Sequence, residues 1–219
     1  MPLTLEETIA RVPFLAAASN LETTQLTGGI TNLNYRIDAD GKSYVLRITG
    51  ADTELLGIRR EVEYAANLAA GELGVAPEVL YFIQPEGYLV TRFVDGAKIE
   101  PDEMVEPHNL RRVAEKIRKF HNEAPPLRGE FNVFRRVEML VEVSRRHNCH
   151  FPGNFDWIIQ RMRQVEQALS DTAGAPHPCH DDLLNLNFLD ERGEVRILDW
   201  EYAGRNDIAY DLANFSLHH

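Results

Sequence analysis

The chain has 219 residues, 44% of them hydrophobic, and a formal net charge of -11 from 23 basic and 34 acidic side chains. That length supports one large domain or two small lobes around a cleft, and the acidic balance without a basic run argues against a nucleic-acid partner and favours a small cation. No apolar stretch is long enough to cross a membrane, and Met1-Pro2-Leu3-Thr4-Leu5-Glu6-Glu7 lacks the basic start and apolar core of a secretory signal, so a cytoplasmic protein without membrane insertion is expected.

Thr4 with Glu7 forms a capping box that predicts a helix through about Ala17. A strand-rich stretch follows. Leu26-Thr27-Gly28-Gly29-Ile30-Thr31-Asn32 reads as a glycine-rich turn, Asn34-Tyr35-Arg36-Ile37 as a strand, Asp40-Gly41 as a tight hairpin turn and Tyr44-Val45-Leu46-Arg47-Ile48 as the partner strand. Two strands around a glycine turn suggest a phosphate cover, in which the loop from Gly28 and Gly29 through Thr31 to Asn32 offers backbone N–H groups to phosphates. Ile58, Val62, Ala65, Ala66 and Ala69 recur at helical spacing and predict a helix from Leu56 to about Ala70, ended by Gly71. Strands over 78–83 and 88–93 flank the turn at Pro85-Glu86-Gly87, and Val94-Asp95-Gly96 reads as a hinge. Beyond it the pattern is helical around Leu110 to Phe120, Phe134 to Arg146 and Phe155 to Leu169. The fold class expected is α+β, with an N-terminal lobe over 1–94 built on an antiparallel sheet with a helix, and a mainly helical lobe over 95–219.

Alternation along strand 44–48 puts Val45 and Arg47 on one face. With the cleft on that face, Val45 touches an adenine and Arg47 reaches phosphates, where a planar guanidinium grips two oxygens at once. Such an Arg needs a carboxylate from the neighbouring helix, and Glu63 is preferred to Glu61. Downstream the chain reads His180-Asp181-Asp182-Leu183-Leu184-Asn185-Leu186-Asn187, then a strand, a turn at Asp190-Glu191-Arg192-Gly193, a return strand and Asp199. Phosphoryl transfer from ATP needs one carboxylate to accept the hydroxyl proton, and an Asn and a further Asp to hold Mg²⁺. Asp182 is assigned as the base, and Asn187 and Asp199 as metal ligands. The antiparallel return is what brings Asp199 beside Asn187.

Two cysteines, Cys149 and Cys179, build no disulfide framework. They sit in look-alike clusters, His147-Asn148-Cys149-His150 and His177-Pro178-Cys179-His180, but the spacing matches no standard zinc finger and His180 belongs to the catalytic loop.

These residues resemble the choline/ethanolamine kinases, within the aminoglycoside phosphotransferase-like group of the protein-kinase-like fold. The resemblance runs through Gly28 to Asn32, Tyr44 to Ile48, Arg60 with Glu63, Val75-Ala76-Pro77, Phe120-His121 and His180 to Asn187, and is most specific at Asp199-Trp200-Glu201-Tyr202-Ala203 with Asp211 and Asn214. It implies a two-lobed kinase that moves the γ-phosphate of ATP to choline or a related amino alcohol. It also implies helices after His219, so the second lobe of this chain is expected to be incomplete. A quaternary ammonium donates no hydrogen bond and is held by aromatic faces and carboxylates, each cation–π contact contributing roughly 0.5–2 kcal/mol. Glu201 and Tyr202 are the preferred acceptor residues, with Asp207 beside them; Trp200 and Phe215 read as core, and Asp211 as a brace for the loop. Asp181 adds a carboxylate beside the base, for a second cation or facing water. An aminoglycoside, sugar or thiamine acceptor, an inactive nucleotide-binding pseudokinase, a zinc-binding interaction protein and a homodimer stay open at this point.

Overall fold

The computed structural model describes residues 3–27, 32–170 and 174–218. Thr4 opens α1 (Leu5–Ala10) with the expected capping box. The predicted helix does not reach Ala17 unbroken, because Pro13 has no N–H to continue it and instead starts α2 (Pro13–Ala16). Val12 and Leu15 are buried and press this pair onto a sheet.

That sheet contains β1 (Leu21–Leu26), β2 (Asn32–Ala39), β3 (Lys42–Thr49), β4 (Val79–Ile83) and β5 (Tyr88–Arg92), antiparallel throughout in the order β1-β2-β3-β5-β4. β1 went unpredicted, since its central residues Glu22 to Gln25 are polar and exposed on an edge and show no apolar alternation. On β3 the alternation holds, with Leu46 and Ile48 sharing a core with Ile37 and Val90 under α1 and α2. Arg47 therefore points the other way, toward α3 (Arg60–Glu72). A 3-10 turn (Thr53–Leu56) ends at Gly57 with φ 72°, so α3 starts at Arg60 rather than Leu56, and it runs past Gly71 to Glu72.

Helix α3 has two packed faces. Tyr64 stacks on Phe82 of β4 at 4.2 Å. Ala66, Ala69 and Ala70 enter a second core with Phe120, Phe188 and Trp200; burying a side chain such as Phe188 contributes roughly 1.5–3 kcal/mol. The chain continues as β6 (Ala97–Lys98), α4 (Pro101–Met104), α5 (Pro107–Glu123), α6 (Val133–Arg146), α7 (Phe155–Ser170) and β7 (His177–Cys179). A 3-10 turn (Asn185–Asn187), the hairpin β8 (Phe188–Glu191) and β9 (Glu194–Ile197), β10 (Gly204–Asn206) and α8 (Ile208–Leu217) complete it. Helix α8 went unpredicted, its signal being the Asp207 N-cap, whose carboxylate accepts from the Ala209 N–H.

The segment 94–96, expected as a hinge, lies against the β8–β9 hairpin. Gly96 is required there, since a Cβ would lie 2.5 Å from the Asp190 carbonyl oxygen. Beside it Arg92 of β5 and Arg196 of β9 both donate to Glu191, at 2.6 and 2.9 Å. The hydrogen bond from Arg92, helped by Arg196, outweighs burial and holds the Glu191 carboxyl down at about 2. This clamp sets where Asp199, just beyond β9, meets the sheet.

Candidate active site

β7 delivers His180 into a buried position, and two side chains of α8 hold the loop that follows. Asp211 accepts from the backbone N–H of His180 at 2.9 Å and of Asp181 at 2.7 Å, and lies 2.8 Å from His121 Nε2. Asn214 Oδ1 accepts from the Leu183 N–H at 2.6 Å. Burial alone would raise Asp211, but these donors hold its carboxyl below the usual range. His121, Cys179 and Asp211 form the metal-sized cluster among the described residues. With its oxygens already accepting N–H groups, Asp211 serves as a brace there, and neither His/Cys cluster of the sequence comes together as a zinc site among the described residues. Cys179 is buried and Cys149 exposed.

The tautomer of His180 follows from its partners. The Asp182 N–H donates to Nδ1 at 3.2 Å, so Nε2 carries the proton and donates to the Leu198 carbonyl at 2.8 Å. Burial pushes its pKa down, keeping the ring neutral. His180 thus ties the Asp182 loop to the residue preceding Asp199. The Asn187 amide donates to the Asp182 carbonyl at 2.9 Å, and the Leu198 N–H to the Asn187 carbonyl at 2.8 Å. Asp181 does not face water. It is 3% exposed with φ 67°, and its Oδ1 accepts from Asn206 at 2.7 Å.

Asp182 and Asp199 have high proton affinity. Burial, then the charge of Glu201, raises Asp182 to about 6. Burial and Glu201, opposed by Arg47, raise Asp199 to about 7. Asp199 sits at φ 62°, and its Oδ1 is buried without a hydrogen bond, 3.6 Å from Arg47 Nη1. Arg47 pairs through Nη2 with Glu63, which is 2% exposed and takes Arg60 Nη1 on its other oxygen at 2.6 Å. Glu61 is exposed. Arg60 continues to Thr53 at 2.8 Å and lies 3.7 Å from Glu201, whose carboxylate accepts from Asn32 at 2.9 Å. Val45 is half-buried. Gly28, Gly29 and Thr31 lie outside the described residues.

On the other side of Glu201, Tyr202 belongs to an aromatic group with Phe131, their ring centres 6.5 Å apart, and Tyr210 stands 5.3 Å from Phe131. Trp200 is fully buried, its Nε1 donating to the Ile197 carbonyl, and Phe215 packs edge-on against Phe188. Asp207 caps α8.

A family model described as choline/ethanolamine kinase matches residues 23–217. The chain belongs to the choline/ethanolamine kinase family. Protein LicA of Haemophilus influenzae is 28% identical over 189 residues, 85% of this chain and 55% of that protein. Ethanolamine kinase 2 of Rattus norvegicus is 30% identical over 205 residues, 89% of this chain and 52% of its own length. The crystal structure of a choline/ethanolamine kinase family protein from Mesorhizobium loti superposes with a TM-score of 0.79 at 31% identity, covering 96% of this chain and 68% of that one. The chain spans about half the length of the curated relatives it matches. Its α+β architecture is the kinase-like fold.

Some residues of this candidate site escaped the sequence reading. Arg60 was noted beside Glu63 without a role, though an Arg three residues before an acid on one helix face signals a pair. Asn206 gives no local signal, since it meets Asp181 through the pairing of β10 with β7.

The raised carboxyls have a consequence for stability. Asp182 and Asp199 bind protons more tightly folded than unfolded, so the stability these two groups contribute is lost as pH rises between roughly pH 4 and 7, against the opposite slope from buried His180. Glu191, held down at about 2, acts only at lower pH. In calorimetry of the ligand-free protein, Asp199→Asn is expected to gain thermal midpoint relative to wild type as pH rises through this window. A constant difference would remove the raised carboxyl.

Proposed function

We propose that this chain carries the nucleotide-binding and catalytic part of a Mg²⁺- and ATP-dependent kinase that phosphorylates the hydroxyl of choline, ethanolamine or a related amino alcohol. The reading is carried by one observation: Arg47, anchored by buried Glu63, reaches the Asp199 carboxylate, which is tied through Leu198 to Asn187 and to the loop of Asp182. The donor set fits the metal, because the buried Asp199 Oδ1 takes no hydrogen bond and carboxylate and amide oxygens suit a hard divalent cation. Asp199 and Asn187 would hold it; when bound, Mg²⁺ neutralises charge on the phosphate oxygens.

Asp182, with a pKa of about 6, is mostly ionised at neutral pH and is the group that accepts the acceptor hydroxyl's proton as that oxygen bonds to the phosphoryl group. Arg47 supplies a fixed positive charge to the phosphates, with Gly28, Gly29, Thr31 and Asn32 as the covering loop and Val45 beside the adenine. Glu201, Tyr202 and Asp207 are assigned to the acceptor side, where Glu201 also links to Asn32 and Arg60. The division of the chain is put at 94/95, with α3 packing into the core of the second part.

A coupled ADP-release assay across choline, ethanolamine, thiamine, simple sugars and an aminoglycoside tests the acceptor class. Turnover is expected with the amino alcohols, and turnover confined to a sugar or an aminoglycoside would overturn the assignment. Arg47→Ala is expected to raise the KM for ATP by roughly 10- to 100-fold, the loss of a charge-assisted pair, and to leave that for the acceptor nearly unchanged. Steady-state kinetics with an unchanged nucleotide KM would remove Arg47 from the phosphate side.

A further inference from the structure

The aromatic faces beside the candidate acceptor site are covered by a cation of the protein itself. Asn132 caps α6 by accepting from the Phe134 and Arg135 N–H groups, and the register this sets carries Arg136 over the rings. Its guanidinium carbon lies 4.8 Å from the ring centre of Tyr202 and 5.1 Å from that of Phe131. Nη1 donates to the Leu56 carbonyl, on the sheet side of the molecule. Gly57 makes the room: at φ 72° it adopts a conformation that side chains resist, and a Cβ there would stand 2.7 Å from Nη1. Burial disfavours the charge of Arg136, while Tyr202, Asp181, Tyr210 and Glu201 oppose that effect.

A cation seated on a ring face excludes a second from that face, because the two would overlap and repel each other. The charges of Glu201, Asp182 and Asp199 all act on the Tyr202 hydroxyl, so the covered ring borders the carboxylate group of the site. We infer that Arg136 determines acceptor specificity: its guanidinium is the resident cation on Tyr202 and Phe131, and, given the amino-alcohol reading on which this rests, a cationic acceptor head binds those faces only by displacing it. Displacement also releases the contact between α6 and Leu56. A quaternary ammonium suffers most from this competition. It has no N–H to donate to Glu201 and depends on the rings, whereas a primary ammonium donates hydrogen bonds to carboxylates.

Calorimetric titration of wild type, Arg136→Met and Arg136→Lys with choline, ethanolamine and ATP tests this. Met keeps the length and apolar stem without the charge, and is expected to lower the Kd for choline by roughly 3- to 10-fold, with a smaller gain for ethanolamine. Lys, which restores a cation, is expected to bind choline as the wild type does, and equal ATP affinity in all three proteins reports an intact fold. Choline binding no tighter to Arg136→Met than to wild type, or as tight to Arg136→Lys as to Arg136→Met, overturns the inference alone. Wild type and variants that bind neither amino alcohol overturn the acceptor reading, and the inference falls with it.

Discussion

Replacing Asp182 by Ala is expected to lower kcat by roughly 100- to 10,000-fold, the range for loss of a positioned general base, with ATP affinity little changed. The fold should tolerate the change, because what Asp182 contributes to the loop is backbone. Its N–H donates to His180, and its carbonyl accepts from Asn187 and from the Leu184 N–H. Its carboxyl is held at a pKa of about 6 by burial and by Glu201, so truncation also relieves a charge that the fold disfavours. The thermal midpoint at pH 8 should therefore be equal to or above that of wild type. A variant that folds and retains more than about a tenth of the wild-type kcat would remove Asp182 from the base role, since a positioned base contributes roughly 100-fold or more.

Asp199→Asn is expected to weaken Mg²⁺-dependent nucleotide binding by at least about 10- to 100-fold, the cost seen even for outer partners of a metal. Asn is the informative replacement because position 199 sits at φ 62°, a conformation Asn tolerates, while Ala would add strain of roughly 1–2 kcal/mol. The substitution removes the charge facing Arg47 and the carboxylate oxygen that is buried without a hydrogen bond. Titrating a fluorescent ATP analogue with and without Mg²⁺ checks it. Metal-dependent affinity equal to wild type would show that Asp199 holds no metal. The two variants differ in kind, since Asp182→Ala should bind ATP and fail to transfer, while Asp199→Asn should fail earlier.

Much of the site was legible because it is local in sequence. Asp182 and Asn187 share one loop, and the turn at Asp190 to Gly193 returns the chain so that Leu198 bonds to Asn187 and Asp199 follows. Arg47 and Val45 followed from strand alternation, which holds wherever one face of a sheet is buried. The preference for Glu63 over Glu61 matched the burial of the first and exposure of the second. The misses have physical causes of their own. Glu22 to Gln25 pair as an edge strand through backbone bonds that need no apolar side chains. The break at Pro13 shows a missing N–H overriding a capped helical pattern.

By itself the sequence determined the side chains on offer: the carboxylates of Asp182 and Asp199, the amide of Asn187 and the guanidinium of Arg47, at spacings set by a loop, a hairpin and a strand. Those depend on short-range geometry that neighbouring residues dictate. Only the tertiary structure decided that Asp181 is buried against Asn206, that Glu201 reaches back to Asn32 and Arg60, and that Arg136 lies on Tyr202. Each of these joins residues far apart in the chain, and which distant side chains meet is settled by how α3, α6 and the β7–β10 pair pack against the shared core, a property no local pattern encodes.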